Sequence, residues 1–412
     1  MPSLLHARVH GAGPTGAVAA LALAAAGWQV KVQDPSPRVA LLCRARAYAF
    51  THSSQRLLER LDLWAALLPS LAPFHQLRLI DAGCGRSVPF SHEDLGRGSS
   101  SKVEAAVGWI GQHQPLMALL LKRLDQHPRV RLQLGPSPAP DPTPRQPPVA
   151  EREPDLVLAA DGVDSPTRRG AGISLWRLSY QQACLAAQVE LRGLDDNEAW
   201  ELLRPEGPFG VLPLGKRHFQ LVWSAPTPRS RRREDLSAVA FLDTLAGVLP
   251  DQLQPDALLD HPRAFPVGLH LARRLHRGNT VLIGESAHRC HPVGGQGLNL
   301  CWRDVAVLQH LAERAAKGRL SPARIGSIYA RQRWGDVIFT LLSTDLLVRL
   351  FSNRHPLLLP PRRLAMALLG RFGWLRCQAL GVMTHGVGGG PRTVGDDASP
   401  LALARPRISV SR

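Results

Sequence analysis

The amino-acid sequence predicts an α/β fold. A parallel-sheet domain is interleaved with a mainly antiparallel-sheet domain, and a helical C-terminal region follows. A strand, a glycine-rich turn, an alanine-rich helix and a second strand follow one another within residues 7–34. Short apolar runs at 155–160 and 280–283 are typical of further buried parallel strands. Residues 181–224 alternate between apolar and polar side chains, which indicates an antiparallel sheet.

The order of these segments predicts that the chain passes between two domains more than once, and 412 residues suffice for two cores. The predicted boundaries are residues 1–75, 102–172 and 270–330 for the first domain, 76–101 and 173–269 for the second, 331–385 for the helical region and 386–412 for a disordered tail. The proline-rich stretch 135–154 is expected to form an exposed loop.

Composition indicates a folded protein without a membrane-spanning helix. Apolar residues make up 44% and charged residues 20% of the chain, and no uninterrupted apolar run reaches roughly 18 residues. Glycines interrupt the apolar stretch within the first dozen residues, so a signal peptide is not indicated and we expect a cytoplasmic protein. The six cysteines are widely spread and form no C-x-x-C pair, which argues against a disulfide framework and a metal site.

The net charge of +17 predicts attraction to polyanions such as anionic lipid, nucleic acid or a phosphorylated cofactor. We expect no nucleic-acid partner, because no nucleic-acid-binding motif is present and aromatic residues are only 5% of the chain. Two basic amphipathic segments, 341–351 and 362–380, fit either packing on the core or peripheral contact with an anionic membrane. The arginine-rich run 229–233 predicts a solvated loop, with phosphate or lipid contact as the alternative.

The first glycine-rich turn has the setting of a Rossmann-like dinucleotide-binding motif. Gly11-Ala12-Gly13-Pro14-Thr15-Gly16 joins a strand to a helix, and Asp34 closes the next strand about twenty residues later. The glycines permit a tight turn and a close approach of a pyrophosphate, and the aspartate can accept hydrogen bonds from a ribose diol. Arg46 follows and can neutralise a cofactor phosphate, although a solvated surface arginine is an equal alternative.

Two further motifs follow predicted parallel strands. Asp161-Gly162 ends the strand at 155–160, where α/β sheets bind ligands, although an isolated motif of this kind is more often an Asx-type turn. Residues 284–299 contain a carboxylate, a proline and several glycines between a strand and a long helix. Glycines there let backbone N–H groups approach a ligand, and the helix start favours an electron-rich atom.

Together these three motifs resemble the flavoprotein aromatic hydroxylases of the p-hydroxybenzoate hydroxylase type, and most closely the UbiH-type hydroxylases of ubiquinone biosynthesis. The most specific match is His291-Pro292 followed by Gly295-Gln296-Gly297-Leu298-Asn299-Leu300. Pro208-x-x-x-Leu212-Pro213-Leu214 and Asp345-x-Leu347-x-Arg349-Leu350-Phe351-Ser352 extend the resemblance over roughly residues 5–385.

The resemblance implies an FAD-binding first domain, a second domain that holds the substrate, and NAD(P)H as electron donor. Such enzymes pass one oxygen atom of O2, through a flavin C4a-hydroperoxide, to a small hydrophobic aromatic substrate, here an aromatic or prenylated quinone-precursor ring. The implied cofactor-binding residues are Gly11, Gly13, Pro14, Gly16, Asp34, Arg46, Asp161, Gly162, Gly284, Glu285, Gly294, Gly297, Leu298 and Asn299. Pro292, Gly295 and Gln296 would form the flavin-edge loop of the catalytic site, and no side-chain acid or base is assigned.

The chain departs from the family pattern at several positions. Glu285 stands where the family has aspartate, Cys301 replaces a usual glycine, and Gln114 replaces a common arginine. Two other functions share the same motifs. One is a flavin reductase of isoprenoid chains like the geranylgeranyl reductases, and the other is a basic binding protein that keeps the flavin fold without catalysis.

Overall fold

The computed structural model describes residues 4–44, 46–95, 106–136 and 153–387. Most of the predicted proline-rich loop at 135–154, and the predicted tail from residue 388 onward, lie outside the described residues.

The strands in the described part of the chain are β1 His6–His10, β2 Gln29–Asp34, β3 Ala47–Phe50, β4 Leu71–Phe74, β5 Gln76–Asp81, β6 Arg86–Ser91, β7 Gly108–Gln112, β8 Val130–Leu134, β9 Leu156–Ala159, β10 Leu175–Arg192, β11 Glu198–Leu203, β12 Phe209–Gly215, β13 His218–Pro226, β14 Gln254–Leu258, β15 Arg263–Ala272, β16 His276–Arg277, β17 Thr280–Leu282 and β18 His288–Arg289.

The α-helices are α1 Pro14–Ala25, α2 Arg38–Leu42, α3 His52–Arg60, α4 Trp64–Leu67, α5 His113–Gln126, α6 Pro166–Gly170, α7 Thr227–Glu234, α8 Ala238–Ala246, α9 Gln296–Ala316, α10 Ile325–Phe351, α11 Leu359–Arg371 and α12 Gly373–His385.

The first sheet has the order β16-β17-β9-β1-β2-β8 and is parallel except for the β16–β17 pair. Helix α1 starts with a proline at its first turn, where the missing N–H costs no hydrogen bond. Its alanine- and leucine-rich sequence is buried from residue 16 to residue 24, and it packs against α9 and α5. The carboxyl ends of β1, β9 and β17 therefore carry the three predicted motifs at one edge of one sheet, as parallel strands require.

The second sheet is mainly antiparallel and follows the order β18-β15-β10-β13-β12-β11-β5-β6, with β14 on one side of β10. Strand β10 spans 18 residues and pairs with β13, β14 and β15, so it is the longest element of this sheet. Among the described strands of this second sheet, one pair is parallel, and it joins β11 to β5. A small third sheet has the order β3-β7-β4, and its strands β4 and β7 contact β12. The predicted α/β fold with a parallel sheet, an antiparallel sheet and C-terminal helices is confirmed.

One local prediction is wrong. The arginine run at 229–233 belongs to helix α7 rather than to a solvated loop, because Glu206 accepts hydrogen bonds from both Arg229 and Arg233. The Arg233 guanidinium also lies 3.8 Å from the Trp223 ring centre, and its side chain is buried. Helix α10 continues without a break from Ile325 to Phe351, so the predicted amphipathic segment 341–351 is the last part of a longer helix.

None of the helices in the described residues combines the length and the apolar character that a membrane span requires.

Candidate functional site

The three glycines of the first motif have different structural roles. Gly11 has a φ of +101°, and a Cβ at this position would overlap the carbonyl oxygen of Ala160 on the neighbouring strand. A Cβ at Gly16 would overlap the carbonyl oxygen of Gly11, so this glycine lets α1 pack closely on the turn. Gly13 is the opposite case, because a Cβ there would meet nothing within 4 Å. The first and third glycines therefore close the turn, while the second leaves space for a ligand.

Asp34 holds this turn through its carboxylate. One oxygen accepts a hydrogen bond from the Ala12 N–H at 2.8 Å, and the other accepts one from the Ser36 N–H at 2.8 Å. The side chain thus orders the glycine turn from the end of β2, where the ribose of a dinucleotide is expected.

Asp161 and Gly162 have different roles. The Asp161 carboxylate accepts hydrogen bonds from the Ser165 hydroxyl and, at 3.0 Å, from the Thr167 N–H, so it caps the short helix α6. Gly162 has a φ of +83° and lines the central cavity, and a Cβ there would meet nothing within 4 Å. The structure therefore brings the glycine to the cavity, while the aspartate orders the turn beside it.

The loop from 292 to 299 presents backbone to the cavity. Gly294 and Gly295 are consecutive left-handed residues, with φ of +68° and +63°, which turn the chain into α9. Pro292, Gly294, Gly295, Gly297 and Leu298 all line the cavity. A Cβ at Gly297 would meet nothing within 4 Å, so a flat ligand can lie against this helix start.

The side chains of Asn299 and Gln296 are directed to protein groups. Asn299 is buried and donates to the carbonyls of Ala49 and Gly295, both at 2.8 Å. Its Oδ1 accepts a hydrogen bond from the Ser54 hydroxyl at 2.6 Å. Gln296 donates to the Gly294 carbonyl at 3.2 Å and is also buried. Both residues therefore fix the loop conformation, whereas their neighbours contact the cavity.

Gly284 and Glu285 follow strand β17. Gly284 has a φ of +61° and donates its N–H to Asp304 at 3.0 Å. The Glu285 side chain is 44% exposed, lines the cavity and lies 3.6 Å from the Arg289 guanidinium. Its carboxylate is therefore available to a ligand hydroxyl at the cavity surface. The buried Cys301 thiol donates to the Gly297 carbonyl at 3.1 Å and fills the space beside Gly284.

A buried ionic network below this loop is absent from the sequence predictions. Asp304 on α9 accepts hydrogen bonds from the His288 ring at 2.8 Å and from the Arg333 guanidinium at 2.7 Å. Arg333 and Arg303 both bind Asp336 on α10. Burial alone would raise the pKa of Asp304, but the interactions with His288 and Arg333 hold it at about 2. Charged residues on the buried side of two apolar helices are the sequence signal that could have revealed this network.

The predicted Arg46 and its neighbours Arg44 and Tyr48 also reach the cavity. Arg46 lies with its guanidinium 5.0 Å from the Phe265 ring centre and lines the cavity together with Arg44. In the part of the chain that the structure describes, neither arginine forms an ion pair with a carboxylate. The Tyr48 hydroxyl bonds to the His113 ring at 2.8 Å, and burial raises the pKa of Tyr48 to about 12.

These groups surround one cavity of about 850 Å³. Its first part is lined by backbone at Gly13, Gly162 and Gly297, with Arg44 and Arg46 as cations. Its second part is lined by apolar side chains of the antiparallel sheet and of α10, α11 and α12, among them Leu79, Phe90, Val222, Leu347 and Met383. Open glycine positions beside unpaired cations are what a flavin dinucleotide requires, so the residues fit FAD.

Comparisons with known proteins agree with this geometry. Residues 146–333 match the family described as FAD binding domain. The chain is 30% identical to the ubiquinone hydroxylase UbiL of Rhodospirillum rubrum over 386 residues, which covers 89% of this chain and 86% of that protein. It is 28% identical to the 3-demethoxyubiquinol 3-hydroxylase of Escherichia coli, covering 90% of this chain and 96% of that protein.

The fold also matches that of Klebsiella pneumoniae HpxO complexed with FAD and uric acid, with a TM-score of 0.69 and 19% identity over 92% of this chain and 96% of that one. The glycine turn, the open loop before α9 and the extent of these matches lead to one family. The chain belongs to the FAD-dependent aromatic-ring monooxygenases, in the group that contains the ubiquinone hydroxylases.

Proposed function

We propose that this protein uses NAD(P)H and O2 to hydroxylate the ring of a phenolic, prenylated quinone precursor. The observation that supports this most is the continuity of the cavity, which joins a glycine-lined cofactor site to an apolar chamber. The names of the bacterial relatives, a ubiquinone hydroxylase and a 3-demethoxyubiquinol 3-hydroxylase, favour the same substrate class. The parallel-sheet part of the chain is then the FAD-binding domain, and the antiparallel sheet is the substrate domain.

The cofactor, once bound, supplies the oxygen-activating chemistry. The protein contributes binding, orientation and exclusion of water. Gly13 and Gly162 would contact its phosphate end through backbone, Arg46 would neutralise charge, and Glu285 would bind a hydroxyl of the chain between phosphate and ring. Pro292 and Gly297 would border the ring system, where the α9 start stabilises negative charge.

The far end of the cavity suits a long apolar substituent. Phe339 and Leu346 on α10 are exposed and also line the cavity, so the chamber continues into exposed apolar surface. We define the mouth patch as the exposed apolar side chains of α10, α11, α12 and the residue that joins the last two helices, namely Phe339, Leu342, Leu346, Leu364, Leu368, Phe372 and Trp374. Exposed arginines, including Arg363 and Arg371, lie in the same helices. A prenyl chain can therefore leave the chamber toward an anionic membrane surface, which the mouth patch and these arginines would contact.

The activity is tested with FAD-loaded protein, NAD(P)H and 2-prenylphenol, a ring that carries one isoprene unit. We expect oxygen uptake that depends on the phenol and a product that has gained one oxygen atom on the ring. Saturation of the isoprene double bond without oxygen uptake would show a reductase instead. Protein that stays colourless and takes up no added FAD would contradict the proposal altogether.

Membrane contact is tested by cosedimentation with vesicles that contain anionic phospholipid. The side chains of Leu342 and Trp374 are 62% and 65% exposed in the mouth patch. Replacing both by Ser should reduce the bound fraction severalfold, because their apolar area no longer enters the bilayer. Val239→Ser is the control, since this residue is 71% exposed on α8 in another part of the molecule. Equal binding of the double variant and the wild type would contradict membrane contact through this patch.

A further inference from the structure

The apolar chamber contains a carboxylate that no sequence motif predicted. Glu201 lies in the middle of β11, where alternate residues Ala199, Glu201 and Leu203 line the cavity. The intervening residues Trp200 and Leu202 belong to the apolar core on the opposite face of the sheet. Strand periodicity therefore directs this charged side chain into the substrate chamber.

Glu201 lies directly beside the flavin-edge loop. Its Oε2 accepts a hydrogen bond from the Gly294 N–H at 3.3 Å, across 93 positions of sequence. The same oxygen is close to Gly210 of β12, where a Cβ would lie 3.7 Å away. The structure thus places one acid between the loop that borders the flavin and the chamber that receives the ring.

The surroundings of Glu201 contain little that could neutralise its charge. Of the described residues that line the cavity, two carry carboxylates, and the other, Glu285, lies near Arg289 at the cofactor end. The elements packed on β11 bring Leu79 from β5, Gly210 from β12 and the Gly294 N–H. The buried Cys184 thiol of β10 interacts electrostatically with Glu201, and burial raises the pKa of this thiol to about 12, so it is uncharged. In the described part of the chain, no cation forms an ion pair with Glu201.

Burial in this apolar setting raises the pKa of Glu201 to about 7, although the hydrogen bond from Gly294 opposes the shift. A carboxyl group with a pKa in this range changes its protonation state near neutral pH, as an effective acid or base does.

We propose that Glu201 is a catalytic residue that accepts the proton of the substrate's ring hydroxyl, a role that rests on the proposed hydroxylation of a phenol. The substrate O–H bond breaks, an O–H bond forms on the carboxylate, and the electron pair stays on the substrate oxygen. No electrons are transferred in this step. The resulting phenolate is richer in electrons at the ring carbons beside and opposite the oxygen. Glu201 then returns its proton to the ring oxygen, while the hydrogen on the hydroxylated carbon leaves as a proton to solvent, so aromaticity is restored and the carboxylate is regenerated.

The proton transfer is tested first without turnover. FAD-loaded protein, without NAD(P)H, is titrated with 2-prenylphenol while the ultraviolet difference spectrum separates bound phenol from bound phenolate. In the wild type we expect the phenolate fraction to rise as pH increases through about 7, because a protonated Glu201 cannot accept the proton. In Glu201→Gln the phenol should bind with similar affinity but stay neutral. The glutamine keeps an oxygen for the Gly294 N–H, so the loop should keep its position.

The control is Glu198→Gln on the same strand, because Glu198 forms an ion pair with Arg78 at 2.6 Å and does not line the cavity. It should ionise the phenol as the wild type does. In turnover, Glu201→Gln should lower kcat by about 10²- to 10⁴-fold, the usual share of a general base. Ring-fluorinated 2-prenylphenol, which ionises unaided, should recover most of this loss relative to the wild type.

Two results would overturn this role for Glu201. These are neutral phenol bound to the wild type at pH above 7, and phenolate bound equally well to Glu201→Gln. A wild type that ionises the phenol but never hydroxylates it would refute the proposed function and leave the proton transfer intact. Hydroxylation with no difference between the wild type and Glu201→Gln would refute only the role of Glu201.

Discussion

At this site, some residues shape the protein and others leave space for a ligand. The glycines at positions 11 and 16 have backbone atoms where a side chain would stand, while position 13 faces open space. Asn299 and Asp161 satisfy protein donors and acceptors, although both belong to motifs associated with the cofactor. A residue can therefore belong to a motif associated with the cofactor and still bond to protein groups rather than line the cavity.

Gly13→Ala and Gly16→Ala should consequently have opposite effects. The backbone of Gly13, with φ of −67°, accepts an alanine, so the apoprotein should keep its melting temperature while FAD affinity falls at least tenfold. Gly16→Ala forces α1 away from the turn, and overpacking of this kind costs about 1–3 kcal/mol of unfolding free energy. Thermal unfolding of the apoprotein and FAD titration measure the two effects. Similar losses of stability in both variants would refute this division of roles.

At the scale of elements, α9 and α10 are joined by the network of Asp304, Arg333, Asp336 and Arg303. Gly284 donates its N–H to the same Asp304 oxygen that bonds to His288. The network thus connects the start of the flavin-edge region to a helix that lines the substrate chamber. Removing one partner from a buried network leaves the remaining charges uncompensated.

Asp304→Asn should therefore lower the unfolding free energy by about 3–5 kcal/mol at neutral pH. The folded-state pKa of Asp304, about 2, lies below its ordinary value of 3.8. Its stabilisation is therefore present above about pH 4 and lost as pH falls toward 2, so the difference between the variant and the wild type should shrink over that range. Urea unfolding over this pH range measures the difference in unfolding free energy between the two proteins.

Asp125→Asn is the matched control for that experiment. Asp125 pairs with Arg38 at 2.7 Å, and both side chains are nearly half exposed. Exposed pairs contribute about 0–1 kcal/mol, so this variant should stay close to the wild type. Equal destabilisation in the two variants would mean that the buried network has no special role.

On the scale of the whole molecule, sequence reasoning succeeded where signals were local. Turn glycines, strand ends and the proline-glycine loop before α9 have fixed spacings, so the sequence predicted the α/β fold, FAD as the cofactor and the motifs that the structure brings to one cavity. Glu201 could not be predicted in this way. Gly294, which donates a hydrogen bond to it, is remote in sequence, and the sequence of β11 does not distinguish it from other strands. Helix α7 was not predicted because a run of arginines indicates a solvated segment. Its partners Glu206 and Trp223, which contact Arg233, come from other parts of the chain.

The net charge of +17 also acts at this scale. If the mouth patch contacts an anionic surface, raising the salt concentration should weaken binding, because the Debye length falls from about 10 Å at 0.1 M to about 3 Å at 1 M. Cosedimentation at both salt concentrations, with anionic and with neutral vesicles, measures this effect. Salt-independent binding to anionic vesicles would show that the apolar side chains act without the charge.

The cavity runs without a partition from the glycine turn to the mouth patch. A cofactor ring in the first part and an aromatic ring in the second are therefore neighbours, and each completes the walls around the other. Two ligands with a shared boundary have a coupling free energy that is the same whichever binds first. If FAD occupies the first part, its binding should raise the affinity for the aromatic ring, and the ring should in turn slow the loss of FAD. Cofactor supply would then control how much substrate is retained as well as how fast it is converted.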